Sequence, residues 1–440
     1  MISAWRKKRA ARRAGKEFRR RVEDEDDNGE MEIVVPRQFR CPISLDIMKD
    51  PVTLSTGITY DRENIEKWIE SGNWTCPITN QELTSLDSIP NHSLRKMIQG
   101  WCEDNGPSGV ERIPTPRIPV SSHEVAGILE RLGRASRRGD EEGFREVVSK
   151  VRNLIKESER NKRSFLGNNT SRVLSSAFEE TKNVALLEEI LSTLVLMFPL
   201  DEEATSFMGS RASLDRLVRL LKDPNPDLGP KRNAVLVLKE VVSSDQEKVN
   251  ALLEIEGSTE ALFKLIKDPI CTAATKSSLW VIYQMVAPSS PRVEVIKNFI
   301  EMGLVSILVE MLPGSDRSLS EKLLAVLDGL CSCEQGRDRA YGHALTILVV
   351  LKKVHRVSSM ATEFAVSILW RLFKGEKRED GGVLVEAVQL SAFQKLLLLL
   401  QVGCGERTKE KATEMLKLLN AHRELECIES SDFRDLKRTF

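Results

Sequence analysis

The sequence predicts a two-part chain, a small α+β domain followed by an all-α solenoid. Three observations carry that prediction. Helical apolar strings recur with a period in the low forties through the C-terminal two thirds; residues 37–105 are turn-rich and do not repeat; and a stretch with four prolines, 106–121, separates the two. The 440 residues carry 65 Lys and Arg against 65 Asp and Glu and are 41% hydrophobic. That is enough apolar content for more than one packed unit, and the charge is too evenly balanced for a surface given over to nucleic acid.

Residues 1–36 come first. Ten Lys and Arg with one Glu fill positions 1–21, and seven Asp and Glu with no base fill 22–32, a basic block followed by an acidic one, of the kind that stays solvated. The opening Met1-Ile2-Ser3-Ala4-Trp5-Arg6-Lys7-Lys8-Arg9 lacks the apolar core of a secretory signal. No stretch reaches the roughly 18 uncharged apolar residues of a membrane helix; the apolar run Tyr341 to Leu351 is too short. The expectation is a cytoplasmic protein with nuclear entry open through the basic block, its eight cysteines free thiols and no Cys-x-x-Cys among them.

In 37–105, Asp50-Pro51 and Thr56-Gly57 punctuate turns, and Ile65, Trp68 and Ile69 mark a helix over Arg62 to Glu70 with Asp61 suited to its N-cap. In the linker 106–121, Pro107, Pro114, Pro116 and Pro119 forbid a continuous helix. From 122 to 425 the helices repeat. One set aligns at Leu220, Leu265, Met311, Leu351 and Leu396, and a second at Leu238, Ile282, Leu327, Leu369 and Leu416, with Leu196 and Leu154 continuing it upstream. A period of this length built of helices alone predicts an armadillo or HEAT type solenoid of six or seven units, the first two degenerate, with a tail at 426–440. Gly257, Gly303 and Gly342 before the first strings favour the armadillo version, whose short first helix meets the second at a sharp bend. Each unit's apolar stripe is buried only by stacking, which leaves one long concave face for a partner.

Phosphate-binding glycine loops, nucleophile elbows and paired metal-binding histidines are absent from the sequence. The informative pair is Cys41-Pro42-Ile43-Ser44 and Cys76-Pro77-Ile78-Thr79. Each is half of a zinc knuckle whose second ligand is a hydroxyl, a poor zinc ligand, so no metal is expected. A polar network can replace it, with Ser44, Asp46, Asp50, Ser55, Thr59, Asp61, Thr79 and Asn91 as candidate members.

The run from Phe39 to Val52, then Thr56 to Arg62 with Ile65 and Trp68, then Cys76 to Thr79 and Ile89 to Leu94, resembles a complete U-box of about 70 residues. With the repeats behind it, the chain resembles the plant U-box/armadillo E3 ubiquitin ligases. Gly336 to Gly342 and Ser367 to Trp370 are similar to the CMPG-type members associated with plant defence. The resemblance implies a zinc-free relative of the RING that grips a ubiquitin-loaded conjugating enzyme and favours direct attack by a substrate lysine, with no covalent intermediate on the ligase. It implies conjugating-enzyme contacts at Ile43, Trp68 and Pro77, with Leu45 as a further candidate. Asn80 stands where many such ligases place a basic residue that bridges conjugating enzyme and ubiquitin.

By the same resemblance the last helix of each unit lines a substrate groove. The family's Leu-x-Asn-Leu pattern puts Glu240, Gln284, Gly329, Arg371 and Leu418 at the usual Asn position, with Trp280 one turn before Gln284. Without an Asn ladder the groove is unsuited to extended basic peptides. The implied partners are a charged conjugating enzyme and a protein substrate, with no nucleic acid. Homodimerisation through the U-box stays open, since some U-boxes pair and others do not. The alternative function is a non-enzymatic armadillo scaffold with a weakened U-box.

Overall fold

The computed structural model describes residues 35–113, 119–224, 227–287, 292–376 and 382–429, with side chains of the last helix described to Ala421. The charged N-terminal segment up to residue 34 and the tail from residue 430 lie outside the described residues. The chain divides into two compact units, Met1–Ile118 and Pro119–Phe440.

The first unit is built on a three-stranded antiparallel sheet of order β2-β1-β3, with β1 at Pro51–Thr53, β2 at Thr59–Asp61 and β3 at Ile89–Pro90. A tight turn joins β1 to β2 through Gly57, whose φ of +76° falls where a side chain is strained. Helix α1, Arg62–Glu70, follows β2 directly, and α2, His92–Asp104, follows β3. Ile65 on α1 and Ile98 on α2 meet Phe39, Val52, Leu54 and Tyr60 in one core that also takes in Cys41 and Cys76. Asn91 caps α2, its Oδ1 accepting the Leu94 N–H at 3.0 Å.

Part of the stretch read as linker belongs to this unit. After a 3-10 turn at Gly106–Ser108, Ile113 is buried in the first core and its carbonyl accepts a hydrogen bond from Gln99 Nε2 at 3.1 Å. Residues 110–113 form neither helix nor strand, yet Ile113 is an apolar side chain with a surface to cover.

The second unit is helical throughout its described residues. A helix pair, α3 (Ser122–Arg138) and α4 (Glu141–Glu157), precedes six three-helix units. The first comprises α5 (Glu159–Leu166), α6 (Thr170–Glu180) and α7 (Val184–Leu194), and the second α8 (Glu202–Met208), α9 (Arg211–Lys222) and α10 (Leu228–Ser244). Then come α11 (Gln246–Leu253), α12 (Ser258–Lys267) and α13 (Thr272–Val286), followed by α14 (Val293–Glu301), α15 (Leu304–Met311) and α16 (Arg317–Leu330). The last two are α17 (Glu334–Tyr341), α18 (Thr346–Lys353) and α19 (Ser359–Lys374), then α20 (Gly382–Gln389), α21 (Ala392–Val402) and α22 (Glu406–Glu429). Leu220, Leu265, Met311, Leu351 and Leu396 fall in the second helix of their units and Leu238, Ile282, Leu327, Leu369 and Leu416 in the third, but the upstream continuation does not hold: Leu196 lies in the 3-10 turn Val195–Met197 after α7, and Leu154 in α4 of the leading pair.

Leu238, Ile282, Leu327 and Leu369 are buried in one continuous core, and each contributes roughly 1.5–3 kcal/mol that an isolated unit could not realise. The bend between first and second helices is left-handed at Gly257 (φ +79°) and Gly303 (φ +88°), and Asn169 and Ser391 adopt the same region at the equivalent turns. Gly342 does not; it continues in the right-handed region, so glycine there is not demanded by backbone handedness. Among the described residues no single helix is long and apolar enough to cross a membrane.

Candidate functional site

The two Cys-Pro-Ile segments fold into loops with the same hydrogen bonds. In the first, Cys41 N–H donates to Asp46 O at 2.8 Å and Leu45 N–H to Cys41 O at 2.8 Å; in the second, Cys76 N–H donates to Gln81 O at 2.8 Å and Asn80 N–H to Cys76 O at 2.9 Å. Each loop closes with its fifth residue in the left-handed region, Leu45 at φ +68° and Asn80 at +57°. Asn is among the few side chains that tolerate this conformation readily, which gives Asn80 a backbone reason to be there; Leu45 has none and is held by its loop.

Helix α1 sits against both loops. Asn64 Nδ2 donates to Ser44 Oγ at 3.3 Å and approaches Cys41 Sγ at 3.8 Å, while Trp68 Nε1 donates to the Thr75 carbonyl at 2.8 Å. Trp68 and Ile43 are half-buried against the core, Pro77 is half-buried, and Leu45 (46% exposed) and Ile78 (52%) stand out into solvent. Ile78 was missed among the candidate contacts, although its place in the repeated Cys-Pro-Ile makes it the counterpart of Ile43. Trp74, 66% exposed at the start of the second loop, was missed too and carries no motif that would have flagged it.

A polar network holds these parts. Asp50 is its hub: Arg62 Nε donates to Oδ2 at 2.6 Å, Arg95 pairs with Oδ1, and Arg62 also donates to Ser88 Oγ at 2.9 Å. Asp61 occupies the N-cap position of α1 but does not cap it. Its Oδ1 instead accepts the N–H groups of Lys49 at 2.9 Å and Asp50 at 2.8 Å, while the first N–H of α1, that of Arg62, donates to the Asp50 carbonyl at 2.9 Å. Burial raises the Asp61 carboxyl pKa in spite of the Asp50 and Lys49 N–H groups.

Thr59 Oγ1 pairs with Thr53 Oγ1 at 2.9 Å, and Asn91 Nδ2 donates to Thr53 Oγ1 at 3.4 Å. Of the remaining sequence candidates, Ser44 receives Asn64, and Thr79 bonds the Cys76 sulfur. Asp46 and Ser55 are exposed, a correction to the sequence reading for their side chains; Asp46 reaches the network through its N–H, which donates to Ser44 Oγ at 3.4 Å. Arg62, Arg95 and Asn64, which the sequence reading passed over, hold it together.

The two thiols act as hydrogen-bond centres. Cys41 Sγ accepts the Asp61 N–H at 3.3 Å, and Cys76 Sγ lies 3.0 Å from the Tyr60 hydroxyl and 3.5 Å from Thr56 Oγ1. Burial pushes the Cys76 thiol pKa up, but the Thr79, Tyr60 and Thr56 bonds outweigh it and bring it down to about 6; burial raises that of Tyr60. Both cysteines are fully buried, closed to any bulky electrophile such as a protein thioester. Among the described residues no group of three His, Cys, Asp or Glu could hold a metal ion.

In the second unit the third helices α10, α13, α16, α19 and α22 pack in succession. Side chains from alternate members of that row also interact. The Tyr283 and Phe364 rings, on α13 and α19, lie 6.0 Å apart at 75°, so these helices form the inner, concave face of the row. The sequence-derived groove positions differ in what they do there. Glu240 accepts the Leu200 N–H at 3.3 Å, Arg371 Nε donates to Asp328 at 3.0 Å, and Trp280 is half-buried with its Nε1 on Ser243 Oγ at 2.8 Å. Gln284 is half-buried, and its carbonyl receives Arg292 at 3.3 Å.

Gly329 is a packing residue rather than a groove residue: a Cβ on it would come within 2.7 Å of Val286, so it sets the close approach of α13 and α16. The register inferred by resemblance runs one residue past the position that faces across the groove, as Tyr283 and Asp328 show.

Residues 35–106 match the family model of the U-box domain, and residues 124–438 match that of the plant U-box protein ARM repeat region. U-box domain-containing protein 21 of Arabidopsis thaliana is 45% identical over 419 residues, 93% of this chain and 94% of its own length. The E3 ubiquitin-protein ligases PUB23 and PUB22 of the same plant are 36% and 34% identical, over 88% and 91% of this chain and 93% and 98% of theirs. Among solved structures, an engineered protein aligns with a TM-score of 0.50 at 17% identity, over 68% of this chain and 71% of its own. A designed armadillo repeat protein aligns with a TM-score of 0.45 at 20% identity, over 56% and 98%.

Proposed function

The chain belongs to the plant U-box proteins that carry an armadillo-repeat region, and from that premise we propose that it is an E3 ubiquitin-protein ligase. Its U-box binds a ubiquitin-charged conjugating enzyme, and its repeats recruit a protein substrate. Two relatives that match over most of this chain are named as such ligases. The observation that carries the reading is the edge made by Ile43, Leu45, Pro77 and Ile78, set in two matching loops that α1 fastens through Asn64 and Trp68. A partly exposed apolar set on a rigid frame costs free energy in water and is regained when a partner covers it.

Transfer would be direct. Cys41 and Cys76 are buried, so the reacting thiol is the conjugating enzyme's, and the ligase contributes proximity and restriction of the loaded ubiquitin, worth several kcal/mol without a general base here. The loops work without zinc in this reading. Each offers one thiol, and Tyr60, Thr56, Thr79, Asn64 and the Asp61 N–H supply the bonds a metal would otherwise replace. A cytoplasmic location, with nuclear entry open through the basic N-terminal block, belongs to the same proposal, as does a part in plant defence, which rests on the family resemblance.

The test is ubiquitylation in vitro with activating enzyme, a panel of conjugating enzymes, ubiquitin and ATP, with and without a zinc chelator. Chains that form in both conditions support the reading. Absence of transfer across the panel favours the scaffold alternative, for which the neutral Asn80 at a position basic in many related ligases is the supporting observation.

A further inference from the structure

We propose that the concave face between α10 and α19 docks an acidic protein segment carrying an apolar anchor; this rests on substrate recruitment by the repeats and deepens it. A positional rule organises that face. The residue after each aligned anchor of a third helix faces, two units on, the residue five before the anchor. Lys239 acts on Lys322, Tyr283 stacks edge-on with Phe364, and Asp328 acts on Lys411. Three rungs of different chemistry follow: two like charges, two rings and an opposite-charge pair.

The third rung is paired within the chain: Asp328 accepts Arg371 Nε at 3.0 Å and also attracts Lys411. The first rung is not. Lys322 lies within electrostatic reach of Lys239 across the groove and of Lys276 beside it; burial lowers its pKa, Glu321 opposes that, the two lysines lower it further and Asp316 raises it again. The carboxylates at hand are already shared: Asp316 pairs with Lys276 at 2.9 Å, and Glu321 with Arg317 at 3.4 Å. Positive charge is therefore in excess where side chains are partly buried, and an incoming carboxylate would interact there more strongly than at an open surface.

Next to the lysines, Trp280, Tyr283 and Phe364 form a run with centroids 5.8 and 6.0 Å apart, all half-buried, and Trp280 is fixed by its bond to Ser243. Aromatic faces beside a charged rim are what an apolar side chain flanked by Asp and Glu would fill.

The experiment measures fluorescence anisotropy of an eight-residue Asp/Glu peptide with one central Leu against the full chain, without conjugating enzyme, ubiquitin or ATP. An Arg/Lys peptide of the same length and a single-stranded oligonucleotide serve as comparisons. The acidic peptide should bind best, weaken as salt rises, and lose about tenfold in affinity in the Lys239→Glu/Lys322→Glu chain. Lys239→Gln/Lys322→Gln, which removes charge without adding any, decides if the reversal disturbs folding.

Equal binding of the basic peptide, tighter binding of the oligonucleotide, or affinity unchanged in both double variants would overturn the proposal. Because the U-box takes no part in the measurement, loss of ligase activity would count against the proposed function alone, and failure of peptide binding against this inference alone.

Discussion

Asn64 and Trp68, one turn apart on α1, each fasten one of the two Cys-Pro-Ile loops: Asn64 Nδ2 reaches Ser44 Oγ at 3.3 Å and Trp68 Nε1 reaches the Thr75 carbonyl at 2.8 Å. Residues at i and i+4 share a helix face, so a single helix sets the spacing of two loops that lie 35 positions apart from Cys41 to Cys76. Asn64→Ala should therefore lower ubiquitin transfer several-fold while costing about 1 kcal/mol of stability. Thermal melts beside transfer rates check this. A stability loss with full activity would show that loop spacing does not limit the reaction.

Asp50 joins Arg62 at the start of α1 to Arg95 on α2, both largely buried. Asp50→Ala removes the carboxylate that two largely buried guanidinium groups share, leaving Arg62 with Ser88 and Glu66, and should cost about 3 kcal/mol in denaturant unfolding. Asp50→Asn, which keeps one acceptor oxygen, should cost less. Equal and small effects of both changes would mean water already satisfies the arginines.

The Asp61 carboxyl has its pKa raised above 3.8 in the folded chain. A group of this kind binds more protons folded than unfolded between the two values, so its contribution to stability falls as pH rises through that window and is constant above it. Asp61→Asn keeps an oxygen for the Lys49 and Asp50 N–H groups and does not titrate. The stability of the native chain minus that of the variant should decrease from about pH 4 upward. Urea melts at a series of pH values measure it, and a difference that grows with pH would reverse the assignment.

Asn80 closes the second loop in a left-handed conformation that Arg adopts at a cost of about 1–2 kcal/mol. Asn80→Arg should lower the melting temperature slightly and, by adding the positive charge found at this position in many related ligases, raise the rate of ubiquitin discharge. A variant that is destabilised and no faster would show that this loop does not reach ubiquitin.

Much of this was readable in the residues. The repeat register survives because an anchor such as Leu238 or Ile282 must be buried whatever its neighbours do, and the α1 limits follow from the spacing of Ile65, Trp68 and Ile69. The groove register was not readable. Which of two adjacent residues, Asp328 or Gly329, turns inward depends on how tightly successive units curve, and that curvature comes from contacts such as Gly329 against Val286. Arg62 and Arg95 escaped notice because arginine ordinarily sits at a surface, and only the fold reveals that both converge on Asp50. Asp61 shows the reverse error: its place before α1 suggested a cap, and the 49–50 turn, invisible as a neighbour in sequence, takes its oxygen instead.

The most direct measurement is single-turnover discharge of a ubiquitin-loaded conjugating enzyme to free lysine, compared between the native chain and Ile43→Ala, with melting temperatures recorded for both. Ile43 is half-buried at the edge of the first loop, so the substitution should reduce discharge about tenfold or more while the chain stays folded. Discharge by a folded Ile43→Ala chain at the native rate would contradict the assignment of this edge as the conjugating-enzyme surface.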